Sequence, residues 1–336
     1  MPLQSIGDMA QSFALRRQSV ELNRQMDRLT QELSSGVASD IPRHLSGNLS
    51  QFADVERDLS VLNARRDVAR LASTDAEVMQ TSLDRVQTTT SELATNALTA
   101  GSTAGNVHIT TVTNEALSAL ETIIGALNGD VAGRSLFAGN KSDKAPLVGA
   151  DIILSELKTA LTGAVGISDI RARLDTFFDD PAADFATVVY KGGTAGLTPR
   201  DLGAGESVAL DIKADNPVLR EVMKQTALIA LLDDPSLGLS QRDRRELIGI
   251  AGEMLLNGQT GLTGLRANLG FAEERISQAE SRISAGLTSL NIVRNDLISV
   301  DIPSTAVELE QVQSQLEMLY TLTARSARLS LVNFLS

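Results

Sequence analysis

A seam of apolar and small residues runs without interruption through the last third of this chain. It takes in Leu262, Leu265, Leu269, Ala272, Ile276, Ala279, Ile283, Gly286, Leu290, Val293 and Leu297, at alternating spacings of three and four. Such spacing belongs to a helix that buries one narrow stripe against another helix. The seam is about five heptads long, so its helix is far longer than a typical globular one. A second apolar helix follows, with Leu309, Val312, Leu316 and Leu319 on one stripe and Tyr320, Leu322 and Leu329 widening it. Between the two, Pro303 disfavours helical geometry at Ile302, so a break is expected there.

The amino terminus carries a helix of the same kind. Over residues 8–35, Leu15, Leu22, Met26, Leu29 and Leu33 form one stripe, and Gly36 sits where a left-handed stop is wanted. Pro42 and Gly47 then mark a short loop. A long helix is expected over 51–99. Its stripe starts at Val55, Leu59 and Leu62 and continues, shifted by one position, through Ala72, Ala76, Met79, Leu83, Val86, Thr90, Leu93 and Ala97. Small residues on that seam permit close helix approach. Residues 101–106 break the pattern, and 110–128 resume it with Val112, Ala116, Ala119, Leu120, Ile123 and Leu127.

The middle, about 140–240, has a different character and holds most of the prolines. Helices are expected over 152–161, 167–178 and 218–232. The β-branched and aromatic run Phe185 to Tyr190 reads as a strand, as does the alternating run Ser207 to Ile212. The expected fold is therefore mainly α. The N- and C-terminal helices pair into an elongated coiled-coil rod, and a small α+β domain is inserted between them. Three parts follow: 1–50 packing with 300–336, 51–140 with 241–299 as the rod, and 141–240 as the outer insert.

Composition narrows the function. The chain has 336 residues, eight phenylalanines, two tyrosines and no tryptophan, less aromatic bulk than a compact enzyme core of that size uses. Its net charge of −12 with no compensating basic stripe argues against nucleic acid as a partner. All six lysines (Lys141, Lys144, Lys158, Lys191, Lys213, Lys224) lie in the middle, and the flanking helices use arginine alone. Arginine suits packed ion pairs between helices, although codon bias is a competing cause. Cysteine is absent, which excludes thiolate chemistry and disulfides. No apolar secretory signal heads the chain, and no apolar run is long enough to span a membrane.

Residues for catalysis or metal binding are sparse. His44 and His108 are the only histidines and share no ligand spacing, so both read as exposed loop residues. Asp179-Asp180 and Asp233-Asp234 precede prolines and read as capping groups, with weak cation binding as the alternative. Gly192-Gly193 and Gly258, Gly261 and Gly264 lack the Lys-Ser/Thr of a phosphate loop. No catalytic, cofactor or metal site is expected. The stripes carry the expectation instead. Leu262, Leu265, Leu269, Ile276, Ile283, Leu290, Val293 and Leu297 would form a coiled-coil core. Leu15, Leu22, Met26, Leu29, Leu33, Leu309, Val312, Leu316 and Leu319 would be buried between copies, because terminal helices are hard to satisfy within one chain.

Several segments resemble the bacterial flagellin superfamily. Leu33-Ser34-Ser35-Gly36, after a helix with Asn23 and Leu29, is similar to its N-terminal helix-to-loop signature. Gly133-Arg134-Ser135-Leu136-Phe137-Ala138-Gly139-Asn140 is similar to its Gly-Arg-aromatic-Leu-Phe segment, with Ser135 in place of the aromatic. Arg266-Ala267-Asn268-Leu269-Gly270 with Arg275-Ile276 resembles the start of its C-terminal helix. The ending Leu329 to Leu335, Val189 to Gly193 with Gly205 to Val208, and the short middle resemble the hook–filament junction members more than bulk flagellins. The loop after Gly36 departs from the usual pattern, lacking its basic residue and Asp-Asp-Pro.

The resemblance implies a secreted structural subunit of the bacterial flagellum, exported by the flagellar type III pathway and not an enzyme. Implied partners are further copies of itself, the other hook-associated junction protein, flagellin and a flagellar export chaperone. Bulk flagellin, or a soluble coiled-coil adaptor or chaperone, are the competing readings.

Overall fold

The computed structural model describes residues 3–102 and 106–335, with side chains for 9–102 and 108–325 of these. It is mainly helical, with two small antiparallel sheets among the described residues. Packing divides the chain into two compact units, Met1–Asn63 with Ala285–Ser336, and Ala64–Ser284. The terminal helices share the first unit with residues 50–63 and 285–298 of the long helices, and the inserted middle shares the second with the rest of those helices.

In the first unit, α1 (Leu3–Ser35) packs on α9 (Ile302–Leu335). The stop at Gly36 is left-handed (φ +71°), and its N–H donates back to the Glu32 carbonyl at 2.8 Å. Two helix ends are then stitched together: Ala38 N–H donates to the Ile298 carbonyl and Val300 N–H to the Gly36 carbonyl. The end of α1 thus lies beside the start of α9, and the pair runs antiparallel. The buried carboxylate of Glu32 accepts from the Ser39 N–H at 3.0 Å and pairs with Arg28. The short helix α2 (Ile41–His44) follows, capped by Asp40 on the Arg43 N–H. Pro303 falls in the first turn of α9, where a missing N–H costs nothing, so the break lies just upstream, over Ser299 to Asp301.

Two helices, α3 (Ser50–Ser102) and α8 (Gln241–Ile298), run through both units. Their pairing is antiparallel in each. In the first unit Gly286 faces Leu62, and Arg294 pairs with Glu56 at 2.6 Å. In the second, Arg266 bridges Asp84 and Gln87, Gln259 donates to Thr90, and Gly249 abuts Gly101. The expected α3 stripe is buried from Ala72 to Ala97, each residue essentially inaccessible. On α8, Leu262, Leu269, Ile276 and Ile283 are buried, while Leu265, Leu290, Val293 and Leu297 are half-buried. Towards its end Leu287 and Ile298 take over the buried side, so the seam drifts around the helix, as a 3.6-residue turn drifts against a seven-residue repeat.

The close approach of the two backbones needs glycine. A Cβ on Gly101 would lie 2.8 Å from the Gly249 Cα, and one on Gly252 would lie 3.1 Å from both Ala97 and Leu98. The interruption expected over 101–106 falls in part on residues 103–105, which lie outside the described residues. Helix α4 (Asn106–Leu127) then buries Val112, Ala116, Ala119, Leu120, Ile123 and Leu127, as the stripe predicts.

The middle folds onto α4. Helices α5 (Ala150–Leu161), α6 (Gly166–Asp179) and α7 (Pro217–Leu231) match the expected spans to within two residues. Asn216 starts α7 by accepting the Val218 N–H, with Pro217 preset in the first turn. Phe177, Phe178 and Phe185 form an aromatic cluster with centroids 5.1 and 5.2 Å apart. Buried Lys224 is held by Asp175, Asp179 and Glu221. Burial opposes its charge, but these three carboxylates prevail and hold its ammonium above the ordinary lysine range.

One expected strand is corrected. Phe185–Val189 forms a single π-helical turn, closed by the Tyr190 N–H on the Phe185 carbonyl at 2.8 Å. A strand would bury Thr187 along with Phe185 and Val189. The wide turn buries only the two apolar residues and lets the Thr187 hydroxyl donate to the Ala183 carbonyl. Local β propensity yields to packing here. The other expected strand shrinks to β4 (Glu206–Val208), paired with β3 (Arg200–Gly203) through a tight turn in which Ala204 and Gly205 have positive φ. A smaller hairpin joins β1 (Asp130–Val131) to β2 (Arg134–Ser135).

The glycines separate two physical effects. Gly101→Ala should destabilise the chain by about 1–3 kcal/mol, since a backbone must move aside. Gly264→Ala meets nothing within 4 Å in the interior of α8 and should stabilise it by about 0.5–1 kcal/mol. Urea unfolding of the two variants reads both signs; equal effects would remove the close-approach explanation.

Candidate functional site in the paired terminal helices

The expected assembly stripes meet each other. Leu22 and Leu29 of α1 form one buried cluster with Val312, Leu316 and Leu319 of α9, and Leu15, Met26 and Leu309 pack against it. Leu33 is half-buried and lies outside that cluster. These residues were expected to be buried between copies, and the structure buries them within one chain. The physical reason is the hydrogen-bonded stitch between residues 36–38 and 298–300. It fixes α1 beside α9, so each stripe finds the other before any partner is needed.

A different face stays open. Met9, Phe13 and Val20 of α1 are exposed, Phe13 at 70%. Their spacings of four and seven place them on one side of the helix, opposite the inward stripe. On α9, Val307, Met318 and Leu322 are exposed at spacings of eleven and four, again away from Val312, Leu316 and Leu319. Met318 is 62% exposed. Sequence reasoning saw the wide apolar faces and named for assembly the stripes that here close on each other within one chain. The missed signal is a second set of helical spacings in each terminal segment. The ending Leu329 to Leu335 continues α9, and its side chains lie outside the described residues.

Near the stitch, a polar cleft of about 330 Å³ is lined by Arg28, Glu32, Asp40, Arg43, His44 and Asp301, among others. Both signs of charge line it. His44 closes α2, and His108, expected in a loop, is an exposed residue of α4. Among the described residues no three acidic or histidine side chains gather as metal ligands.

The acidic pairs serve as caps and ion pairs. Asp234 accepts from the Ser236 N–H and pairs with Lys158 at 2.6 Å. Those hydrogen bonds, Lys158 foremost, hold its carboxyl down at about 2. Asp233 pairs with Arg244, Asp179 with Lys224, and Asp180 caps the Ala182 N–H.

The two middle segments singled out from the sequence interlock. The Phe137 carbonyl accepts from Ala214, and that of Ala138 from Gly193. The Tyr190 hydroxyl donates to the Gly193 carbonyl at 3.0 Å. Burial, with the Asp215 charge, raises the Tyr190 phenol well above its ordinary range. Gly139 (φ +59°) lets the two loop segments touch, since a Cβ there would lie 2.3 Å from the Ala195 carbonyl oxygen.

Residues 254–335 match the family model described as the bacterial flagellin C-terminal helical region. The match covers the seam and the final helix. Two solved structures share the fold. One is a candidate flagellar hook-associated protein from Vibrio parahaemolyticus, 13% identical, with a TM-score of 0.51 over 73% of this chain and 95% of that one. The other is FlgL from Bacillus cereus, 11% identical, with a TM-score of 0.52 over 72% and 98%. At such identity the likeness is one of fold. No curated protein sequence matches the chain. The resemblance read from the sequence is thus upheld where it was most specific, in the C-terminal helices and the architecture.

The inward stripe predicts a monomer effect. Leu316→Asp puts a carboxylate into the α1–α9 cluster and should cost more than the ~2–5 kcal/mol of a buried Leu→Ala change. Circular dichroism of the isolated chain should lose the α1–α9 helical signal at lower temperature. An unchanged melt would return Leu316 to the role of a contact between copies.

Proposed function

We propose that this chain, whose carboxy-terminal region matches that of bacterial flagellin, is a structural subunit of the bacterial flagellum and the piece that joins hook to filament. It is not an enzyme: its organised surfaces are helix faces. The observation that carries the reading is the outward apolar stripe on both terminal helices, left open after the inward stripes have closed on each other. Apolar surface repeated along paired helices favours stacking of copies, at about 25 cal/mol per Å² removed from water.

The subunit passes through the flagellar export channel as an unfolded chain, attended by an export chaperone. It then assembles with copies of itself between the other hook-associated junction protein and flagellin. Helical interdigitation suits that task, because a surface of many small contacts tolerates the change from a bending hook to a stiff filament. The three-part division read from the sequence enters as part of this proposal. No helix among the described residues is long and apolar enough to cross a membrane.

A second reading is favoured by the flagellin match itself, namely that the chain is bulk filament subunit. Immunogold labelling of intact flagella separates the two. Label confined to the hook–filament boundary supports the junction; label along the filament overturns it.

The outward stripe gives a matched prediction. Phe13→Asp with Met318→Asp should leave the monomer melt within about 1 kcal/mol of the parent, as substitutions at exposed positions do. The same pair should produce hooks without filaments, with flagellin shed into the medium. Normal filaments in the double variant would show that this face is not used in assembly.

A further inference from the structure

The lysines confined to the middle, and the arginine of the Gly133 to Asn140 segment, have no part in assembly as described. Most of the lysines are engaged: Lys158 with Asp234, Lys213 with Asp215, Lys224 with its three carboxylates, and Lys191 with the Thr187 carbonyl. The exceptions cluster in one stretch. Arg134, Lys141 and Lys144 have no ion-pair partner among the described residues; Arg134 opens β2, and both lysines lie on the loop that leaves it.

That loop forms one wall of a pocket of about 310 Å³. Arg134, Asn140 and Ser142 stand on this side, with Thr198, Pro199 and Arg200 opposite. The pocket exists because Gly139 lets the loop touch Ala195, where the Asn140 N–H donates to the Ala195 carbonyl at 3.0 Å. Arg200 is anchored from behind by Asp75, a buried carboxylate, and keeps its remaining donors. The side chains of Arg134, Asn140, Ser142 and Thr198 make no hydrogen bond among the described residues. Two guanidinium forks, an amide and two hydroxyls therefore converge on one half-enclosed space.

Nearby acids balance part of this charge: Asp75 pairs with Arg200, and the Asp211 carboxylate lies against Gly196, beside the pocket. Asp130 accepts from the Gly133 N–H and Asp201 from the Gly203 N–H. Exposed Lys141 and Lys144 face a single intervening acid, Asp143, along the loop. What singles the pocket out is Arg134, a lining guanidinium without an ion-pair partner among the described residues, on a chain of net charge −12. Guanidinium forks match a planar oxyanion with two parallel hydrogen bonds. The Asn140 N–H is already committed, so the donors are side chains rather than the row of backbone N–H groups that a phosphate loop offers.

We propose that this pocket is a binding site for a carboxylate group, held chiefly by Arg134 and Arg200. The proposal is independent of hook–filament joining. A carboxylate has two sources here: a free small acid, or an Asp or Glu side chain of a second copy of this chain.

The test uses the full-length chain at low ionic strength, with succinate as probe and calorimetric titration as readout. Saturable binding is expected, weakened at least tenfold in Arg134→Gln and unchanged within twofold in Lys158→Gln, a basic residue elsewhere in the same unit. Arg134 is chosen because replacing Arg200 would strand buried Asp75. The melt of Arg134→Gln, matching the parent, confirms that the fold is intact. No saturable binding, equal binding by Arg134→Gln, or inorganic phosphate binding as tightly as succinate would each overturn the proposal. Sedimentation of the parent with succinate or with sodium chloride of equal ionic strength then identifies the source. Self-association weakened by succinate and by Arg134→Gln assigns the carboxylate to a second copy. Self-association indifferent to both assigns it to a free acid.

Discussion

Antiparallel pairing of helices that lie far apart in sequence is the constraint on which the rest of this structure depends. The chain must bring residues near 100 to residues near 250, and residues near 30 to residues near 300, before most of its apolar surface is covered. Little in α1 or α9 can be stable alone, since each presents only a stripe. The pairs α3–α8 and α1–α9 therefore carry the fold, and the inserted middle packs on α4 within the second unit. Contacts of such sequence separation are entropically costly to form, so a chain of this design gains its ends late in folding.

The frame was legible because helix periodicity is redundant. The α3 stripe from Ala72 to Ala97 repeats often enough that one misplaced residue would not hide it, and the same holds for Leu262 to Ile283 on α8. Small residues on the α3 seam point to close approach, while Gly101, which touches Gly249, falls where the sequence predicts a break. Single turns lack that redundancy. Phe185 to Tyr190 has strand composition, but the demand to bury Phe185 and Val189 while leaving Thr187 outside settles its shape, and that demand comes from α6. Strand β3 carries no β-branched residue and was invisible for that reason. Pro303 was read as a helix breaker, whereas its position in the first turn makes it a helix starter.

The terminal stripes show a deeper limit. Periodicity reveals that Leu22 and Leu316 are buried, and it does not say by what. The stitch between residues 36–38 and 298–300 decides the matter, and it consists of backbone hydrogen bonds with no sequence signature beyond Gly36. Once it is in place, Met9, Phe13 and Met318 on the opposite faces are the apolar residues left open, and the proposed assembly role rests on them. The arginines of the long helices make cross-helix pairs, which leaves codon bias standing beside packing as a cause of their use. Arg266 and Arg294 pair across α8 and α3 with Asp84 and Glu56. These groups are partly exposed, so such pairs set register more than stability.

The central claim is that each terminal helix has two apolar faces, one closed within the chain and one closed between chains. The chain has no native cysteine, so a single introduced thiol reports on one face. The decisive measurement is the rate of maleimide labelling of Phe13→Cys in the isolated monomer and in purified flagella. The account predicts rapid labelling in the monomer and strong protection in the assembled organelle. Equal rates in the two states would contradict it, because the outward stripe would then remain in water after assembly.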